Sequence, residues 1–589
     1  MNQTWMMGLS KGVPPVHGPL TACSRPVHGL RSAPRHSPKG EAMQKESASP
    51  APTPIPIPDD FPVIWLDPED AALTWNQEGT HFPESMPPLE FDFWNCAIHG
   101  IYDLQERFSA PHRLVIRYFN TYFYMGDRLV VAEEEKKHSE EQSQEQILEL
   151  AGQMHLLWPR QWWPEIQEHL AFWEDFDLES ASLEALKRHL DETWERVQQI
   201  WRLHFAMGPP AYKAMEKFKE FYGELFEEEG NALAAYSLLQ GLENKTLEMG
   251  HALWDLSRRM APGVAEIVAQ RESSEVVAAL GASEEGRAFL AEFKAYLHEY
   301  GQRSNHWSLS LPDWIQDPAP VVETLKSYLA TECDPRVEFE KLAAACERSL
   351  GDVRERLSGY PQPVRDEFEE RLQQARLGMV LSEDHNFWID FNSTYKVRRV
   401  VMQLGRRFTE ANFIEQAADV FYLHFDEVRQ VDTDQRALVA SRRAIFEHFR
   451  AIKPPPRLGV EPPPKEEDEE KKHDKPVDGD GVLRGEAVSP GKVRGPARVM
   501  ETVASAERLQ PGDIMVAQTT SSSWTPLFAI LGGVVTEVGG ALSHCAVVAR
   551  EYGLPAVVGV EAAREKITDG QIVELDAAEG LVRLVGEGG

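Results

Sequence analysis

Thr536-Glu537-Val538-Gly539-Gly540-Ala541-Leu542-Ser543-His544-Cys545-Ala546-Val547-Val548-Ala549-Arg550-Glu551 is the stretch on which the reading of this 589-residue chain turns. The β-branched run ahead of it, Gly532-Gly533-Val534-Val535-Thr536, has the pattern of a buried strand. A glycine pair then turns the chain, and Ser543 is placed to cap a helix that begins at His544. The free amides of that helix start would point where a phosphate on His544 would sit. A neutral imidazole nitrogen is a competent nucleophile toward phosphorus, and the phosphoramidate it forms is labile enough to pass the group on. Most of the 19 histidines are expected to be hydrogen-bonded structural residues, whereas His544 reads as a phosphate carrier. Thr536, Gly539, Gly540 and Ser543 are the candidate phosphate-binding residues around it.

The segment resembles the pattern T-x-x-G-G-x-x-S-H-x-A of the swivelling phosphohistidine domain in phosphoenolpyruvate synthase, pyruvate phosphate dikinase and their relatives, the PEP-utilizing enzymes. The likeness continues through Ala549-Arg550-Glu551-Tyr552-Gly553-Leu554-Pro555-Ala556-Val557-Val558-Gly559. Gly485-Glu486-Ala487-Val488-Ser489-Pro490-Gly491 and Pro511-Gly512-Asp513-Ile514-Met515-Val516 resemble that domain's opening strands, and Thr568 to Asp576 its closing strand. The resemblance implies a small α/β domain over residues 483–589 and makes His544 its phosphorylated residue. Cys545 reads as a small core residue.

Outward from this domain, Pro454-Pro455-Pro456, Glu461-Pro462-Pro463-Pro464 and the charged run Lys465 to Lys472 read as a Pro/acidic flexible linker over residues 454–482. Residues 59–453 read as mainly α-helical, because apolar side chains recur at helical spacing in stretches such as Leu183 to Trp201 and Glu338 to Arg356. Helix breaks are expected at Gly208-Pro209-Pro210, Pro262-Gly263, Pro312 and Pro361-Gln362-Pro363. Residues 1–58 are rich in Pro and Ser, end in Ala51-Pro52-Thr53-Pro54-Ile55-Pro56-Ile57-Pro58, and are expected to be disordered. The alternatives for that stretch are a targeting peptide and a true start near Met43. The fold class is thus multidomain, a mainly α-helical substrate domain followed by a small α/β swivelling phosphohistidine domain.

Composition narrows the partners. The chain carries 94 acidic against 61 basic side chains, a formal charge of −33, so a nucleic-acid backbone would be repelled. Its five cysteines are scattered and odd in number, which argues against a disulfide framework and fits a cytoplasmic location. No run approaches the roughly 18 apolar residues of a membrane-spanning helix. Metal-ligand spacing is not evident, and no metal or cofactor is assigned to this chain. Trp158, Trp162, Trp163, Trp173, Trp194 and Trp201 form either helix-packing core or an aromatic-lined pocket.

Several phrases in the helical region resemble substrate-binding parts of phenol- and rifamycin-phosphorylating members of the same family. They are Trp65 to Trp75, Tyr300-Gly301-Gln302-Arg303-Ser304, and Glu383-Asp384-His385-Asn386-Phe387-Trp388-Ile389-Asp390 followed by Arg398 and Arg399. Transfer to a hydroxyl needs an acceptor for its proton and cations for the phosphoryl oxygens. His385 is the candidate for the proton, with Asp384 beside it, and Arg303, Arg398 and Arg399 for the charge; helix-surface pairing is the competing role of those arginines.

The chain shows no G-x-x-x-x-G-K-[ST] loop, nothing resembling an ATP-grasp domain, and too little sequence after His544 for the family's (β/α)₈ barrel. The resemblance then implies the acceptor-plus-carrier subunit of a phenylphosphate synthase-type phosphotransferase. ATP and Mg²⁺ are expected on a separate ATP-grasp subunit, and the substrate is expected to be a small hydroxylated, phenolic molecule. The alternatives are a component that phosphorylates an antibiotic or other natural product, and a non-catalytic phosphorelay or regulatory binding protein.

Overall fold

The computed structural model describes residues 53–65, 67–79, 81–226, 232–305, 307–331, 334–462, 481–501, 508–520, 524–540 and 543–585. The expectation of disorder over residues 1–52 lies outside them, as does most of the expected linker.

Residues 59–453 are built around the helix Leu183–Phe226 and a second long helical path made of Gln362–His385, a π-turn Asn386–Phe391 and the helix Asn392–Glu410. The expected break at Gly208-Pro209-Pro210 does not occur; the helix continues through it. Each internal proline removes one N–H donor and costs a free helix about 3 kcal/mol. Burial offsets this, because Met207, Ala211, Ala214, Met215 and Phe218 are all buried around the prolines, and each large apolar side chain contributes about 1.5–3 kcal/mol. Helix Gln362–His385 lies so close here that a Cβ on Gly378 would stand 2.9 Å from the Ala211 carbonyl oxygen. Pro262 and the Pro361-Gln362-Pro363 run instead stand at helix starts, where a missing N–H is harmless.

The helical region also contains an antiparallel sheet that the sequence did not reveal. Strands β1 (Thr74–Gln77), β2 (His112–Phe119), β3 (Tyr122–Leu129) and β4 (Arg457–Gly459) lie in the order β2-β3-β1-β4. The last of them falls inside the expected linker, and Leu458 is fully buried against Phe61, Trp75 and Tyr124. Pro54 bridges Val460, the Ile55 N–H donates to the Gly459 carbonyl and the Glu461 N–H donates to the Thr53 carbonyl, so residues 53–55 run beside that strand. The short edge strand β4 follows directly on Pro454-Pro455-Pro456, which reads as linker.

The C-terminal domain is an eight-stranded mixed sheet of β5 (Val482–Arg484), β6 (Glu486–Ser489), β7 (Lys492–Met500), β8 (Ile514–Ala517), β9 (Gly533–Thr536), β10 (Ala556–Val558), β11 (Ile572–Asp576) and β12 (Leu581–Leu584), ordered β5-β12-β11-β7-β8-β9-β10-β6. Strands β7, β8, β9 and β10 run parallel, and every residue of β8, β9 and β10 is buried, as their unbroken apolar runs require. The helix His544–Glu551 covers one face of the sheet.

Among the described residues no helix is long and apolar enough to cross a membrane.

Candidate active site

His544 is the first residue of its helix, as its spacing from Ser543 required. The Ser543 side chain accepts the Ala546 N–H at 3.4 Å, and Gly539 has φ +138, a conformation open to glycine, where a Cβ would meet Ser543 Oγ at 2.9 Å. Cys545 is buried, and burial pushes its thiol up to about 12, with Thr520 and Thr536 beside it, so it is the inert core residue expected. Thr536 is itself fully buried and lies against that thiol. Gly540 and Ser543 instead line a cleft of about 570 Å³ with Tyr212, Lys213 and Lys219 of the long helix.

The imidazole of His544 is held from both sides. Its Nδ1 lies 3.2 Å from Glu383 Oε1, across the boundary between the two domains, and its Nε2 lies 3.2 Å from Thr525 Oγ1. Glu383 is almost completely buried, and its other oxygen accepts the Thr246 hydroxyl at 3.0 Å. A carboxylate on Nδ1 fixes the tautomer and leaves Nε2 as the nucleophilic nitrogen. Glu383 was part of a quoted sequence phrase but not singled out; only its contact with a residue 161 positions away reveals it.

The same helix holds the carrier in place. Val547 joins an apolar cluster with Met215, Phe218, Leu239, Ala375 and Met379. Glu551 accepts the Gly241 N–H at 3.0 Å, Gln240 donates to the Arg550 carbonyl at 3.3 Å, and the Arg550 guanidinium lies 4.4 Å from the centre of the Tyr236 ring. The Arg550 side chain thus divides between the Val488 carbonyl of its own domain, to which its Nε–H donates at 2.8 Å, and the Tyr236 ring.

Three residues past Glu383, the helix widens into the π-turn Asn386–Phe391, a distortion frequent at functional sites. His385, at its start, and Asp390, inside it, meet His204 of the long helix. His204 Nδ1 is 2.7 Å from Asp390 Oδ1, and the rings of His204 and His385 lie 4.8 Å apart. Burial lowers both imidazoles, that of His204 to about 3, and pushes Asp390 up to about 8. His385 Nδ1 is 2.6 Å from the Leu381 carbonyl, which must accept, so the Nε2 lone pair is left open. His204 gave no sequence signal and Asp390, although it closes a quoted phrase, was not singled out; the two are 186 residues apart.

Beyond His204 the ring of Trp307 stacks on His81, centres 4.4 Å apart, and both line a cavity of about 460 Å³ with Phe421, Tyr422, Arg443 and Phe446. Of the early tryptophans, Trp162, Trp173, Trp194 and Trp201 are buried core, so that cluster packs the fold rather than lining the cavity.

The remaining candidates are not gathered at His544. Asp384 accepts the Lys245 N–H at 2.8 Å at the start of another helix, and burial raises it to about 6. Arg398 donates to the carbonyls of Leu309 and Ser310, each at 2.8 Å, and also lines the small cavity beside Asp390. Arg399 is half-buried and faces Glu174 at 3.7 Å. Arg303 is buried between Trp314 and Phe391, beside a small cavity that Asp390 also lines.

A parallel-stranded α/β domain that presents one histidine on a capped helix start to a helical neighbour is the architecture of a PEP-utilising mobile domain. Residues 509–580 match that domain, described as "PEP-utilising enzyme, mobile domain", and residues 204–383 match the "Rifampicin phosphotransferase fourth domain". The chain thus carries a PEP-utilising mobile domain together with a rifampicin phosphotransferase domain. It is 34% identical to chondramide synthase cmdD of Chondromyces crocatus over 95% of this chain and 15% of that protein. It is 33% identical to a rifampicin phosphotransferase of Streptomyces sviceus over 63% of this chain and 42% of the relative. With the uncharacterized phosphotransferase YvkC of Bacillus subtilis it shares 28% identity over 65% of this chain and 47% of the relative. The chain therefore spans less than half the length of each of these relatives.

Proposed function

We propose that this chain is the acceptor-and-carrier part of an ATP-dependent, dikinase-type phosphotransferase. A phosphoryl group is loaded on His544 and passed to a hydroxyl of a small molecule bound by the helical region. The observation that carries this reading is the contact of His544 Nδ1 with buried Glu383, which seats the carrier histidine on the helical region rather than in solvent. In the transfer step the P–N bond to His544 Nε2 breaks as the P–O bond forms. The hydroxyl proton leaves to the buried group formed by His385, His204 and Asp390, and Glu383 holds the imidazole as it returns to the neutral state. The glycine-pair amides and the cleft lysines Lys213 and Lys219 supply positive potential beside the carrier.

ATP and Mg²⁺ are proposed to act on a separate ATP-grasp subunit, with AMP and phosphate released as His544 is loaded. The cavity beside His81 and Trp307, at about 460 Å³, falls in the size range of small-molecule sites, and its aromatic lining suits a phenolic acceptor. A second reading, a larger natural-product acceptor, is favoured by relatives named chondramide synthase and rifampicin phosphotransferase. A cytoplasmic location is part of the proposal.

The test combines this chain with an ATP-grasp partner, ATP, Mg²⁺ and panels of phenols and hydroxylated natural products, and follows AMP and phosphorylated product. Formation of either product class with label passing through His544 supports the reading and identifies the acceptor. Label that loads on His544 but never reaches any small hydroxyl would favour the phosphorelay alternative instead.

A further inference from the structure

We infer that His204, His385 and Asp390 form a binding site for one divalent transition-metal cation, with Zn²⁺ the ion that the ligand set suits best. One ligand atom from each of the three residues lies within 4.8 Å of the other two. Zinc bonds to imidazole nitrogen and carboxylate oxygen are about 2.0–2.2 Å, which sets ligand atoms within roughly 4 Å of one another. Small side-chain rotations would therefore close the group around an ion.

Three further observations point the same way. Asp390 Oδ2 is buried and has no hydrogen-bond partner among the described residues, although its sister oxygen meets His204. An uncompensated buried carboxylate oxygen is costly, and a cation is the natural partner for it. His385 has its Nδ1 occupied by the Leu381 carbonyl, which is the orienting contact that metal-bound histidines ordinarily have, and this turns Nε2 toward the group. The π-turn supplies the third observation, since it brings Asp390 and His385 of one helical path to the same partner, His204 of another.

Two imidazoles and one carboxylate form the ligand set of a catalytic rather than a structural zinc site, because three protein ligands leave a coordination position open. His81 and Trp307 connect this position to the cavity wall. The inference deepens the proposed function at one point only, and rests on it only there: a hydroxyl bound to the ion would be more acidic than a free one, so its proton would pass to solvent water and the three ligating side chains would not be needed as its acceptor. Cation binding itself does not depend on nucleotide or acceptor.

The experiment uses the full chain, stripped with a chelator and dialysed against micromolar Zn²⁺. The expected result is one retained zinc per chain by elemental analysis, with X-ray absorption showing two imidazoles, oxygen and no sulfur around the metal. His204→Ala and Asp390→Asn are each expected to weaken retention at least tenfold while the circular dichroism spectrum is unchanged. No retained zinc, sulfur in the first shell, or retention that survives in both folded variants would overturn the inference. Should the variants not fold, the absorption spectrum of the unaltered chain decides the matter alone. No retained zinc in a chain that still phosphorylates its acceptor would sink this inference and leave the proposed function standing, whereas zinc bound as described with no transfer to any hydroxyl would do the reverse.

Discussion

Glu383 Oε1 and His544 Nδ1, 3.2 Å apart, join a residue of the helical region to the first residue of a helix in the C-terminal domain. A buried carboxylate facing one imidazole nitrogen directs the other nitrogen to chemistry, and does so only while the two domains are docked. The pair thus couples the position of the carrier to its reactivity.

Replacing His544 by Ala removes the nucleophile, and label from ATP is expected to vanish from the chain with turnover falling by about 10³-fold or more, the scale seen when a covalent nucleophile is lost. Glu383→Gln keeps the shape and the Thr246 contact but not the charge. It is expected to slow transfer to the acceptor by roughly 10²-fold, as for loss of a positioned acid–base partner. Quenched-flow labelling of His544, followed separately from product release, checks both. Equal rates for Glu383→Gln and the unaltered chain would remove Glu383 from the mechanism.

Docking of the carrier should weaken as pH rises. Burial is the largest cause that lifts Glu551 from its ordinary value near 4.5 to about 8, only partly offset by the Gly241 N–H and by Arg550. The docked state therefore binds a proton that the solvated, undocked state releases. Docking stability is fully present below about 4.5 and is lost progressively as pH climbs to about 8, with no further loss above it. Hydrogen exchange at Gly241 and across the helix His544–Glu551 should report this window, and Glu551→Gln should flatten it. An unaltered pH profile in that variant would assign the effect elsewhere.

Gly378→Ala sets two opposed effects against each other. Alanine in a helix interior gains up to about 1 kcal/mol over glycine. Here its Cβ would stand 2.9 Å from the Ala211 carbonyl oxygen, and overpacking of a close backbone contact costs about 1–3 kcal/mol. Net destabilisation is expected, read as a lower midpoint of thermal unfolding, and a raised midpoint would mean that the two helices separate easily.

Gly539→Ala forces a side chain into a φ of +138 and against Ser543 Oγ. Strain of about 1–3 kcal/mol should loosen the turn before His544 and reduce its labelling, with the rest of the fold intact by circular dichroism. Ser543→Ala, which removes only the cap, should cost about 1 kcal/mol locally and retain more labelling than Gly539→Ala.

Much of the carrier domain was legible in the chain itself. Strand β9, the glycine turn, the Ser543 cap and the helix start at His544 are local features, each set by residues within a few positions of one another. Strand β8 lies in a stretch that the family resemblance marked as an opening strand, and all four of its residues are buried. The helical character of residues 59–453 followed from periodicity, but the passage of helix Leu183–Phe226 through Pro209 and Pro210 did not, because tertiary burial overrode a local preference. Strand β4 escaped notice because its partner, β1, lies at the far end of the region.

What tertiary structure alone decided is the chemistry of the helical side. His385 could be named from its phrase, yet its partners His204 and Asp390, the carboxylate of Glu383 that meets the carrier, and the bonds of Arg398 to backbone carbonyls depend on which helices touch. A motif is a statement about neighbours along the chain, and it captures a phosphate-carrying turn because backbone geometry holds that turn together. An acceptor site is assembled from side chains brought together by packing, and its members carry no mark of their partners until the chain is folded.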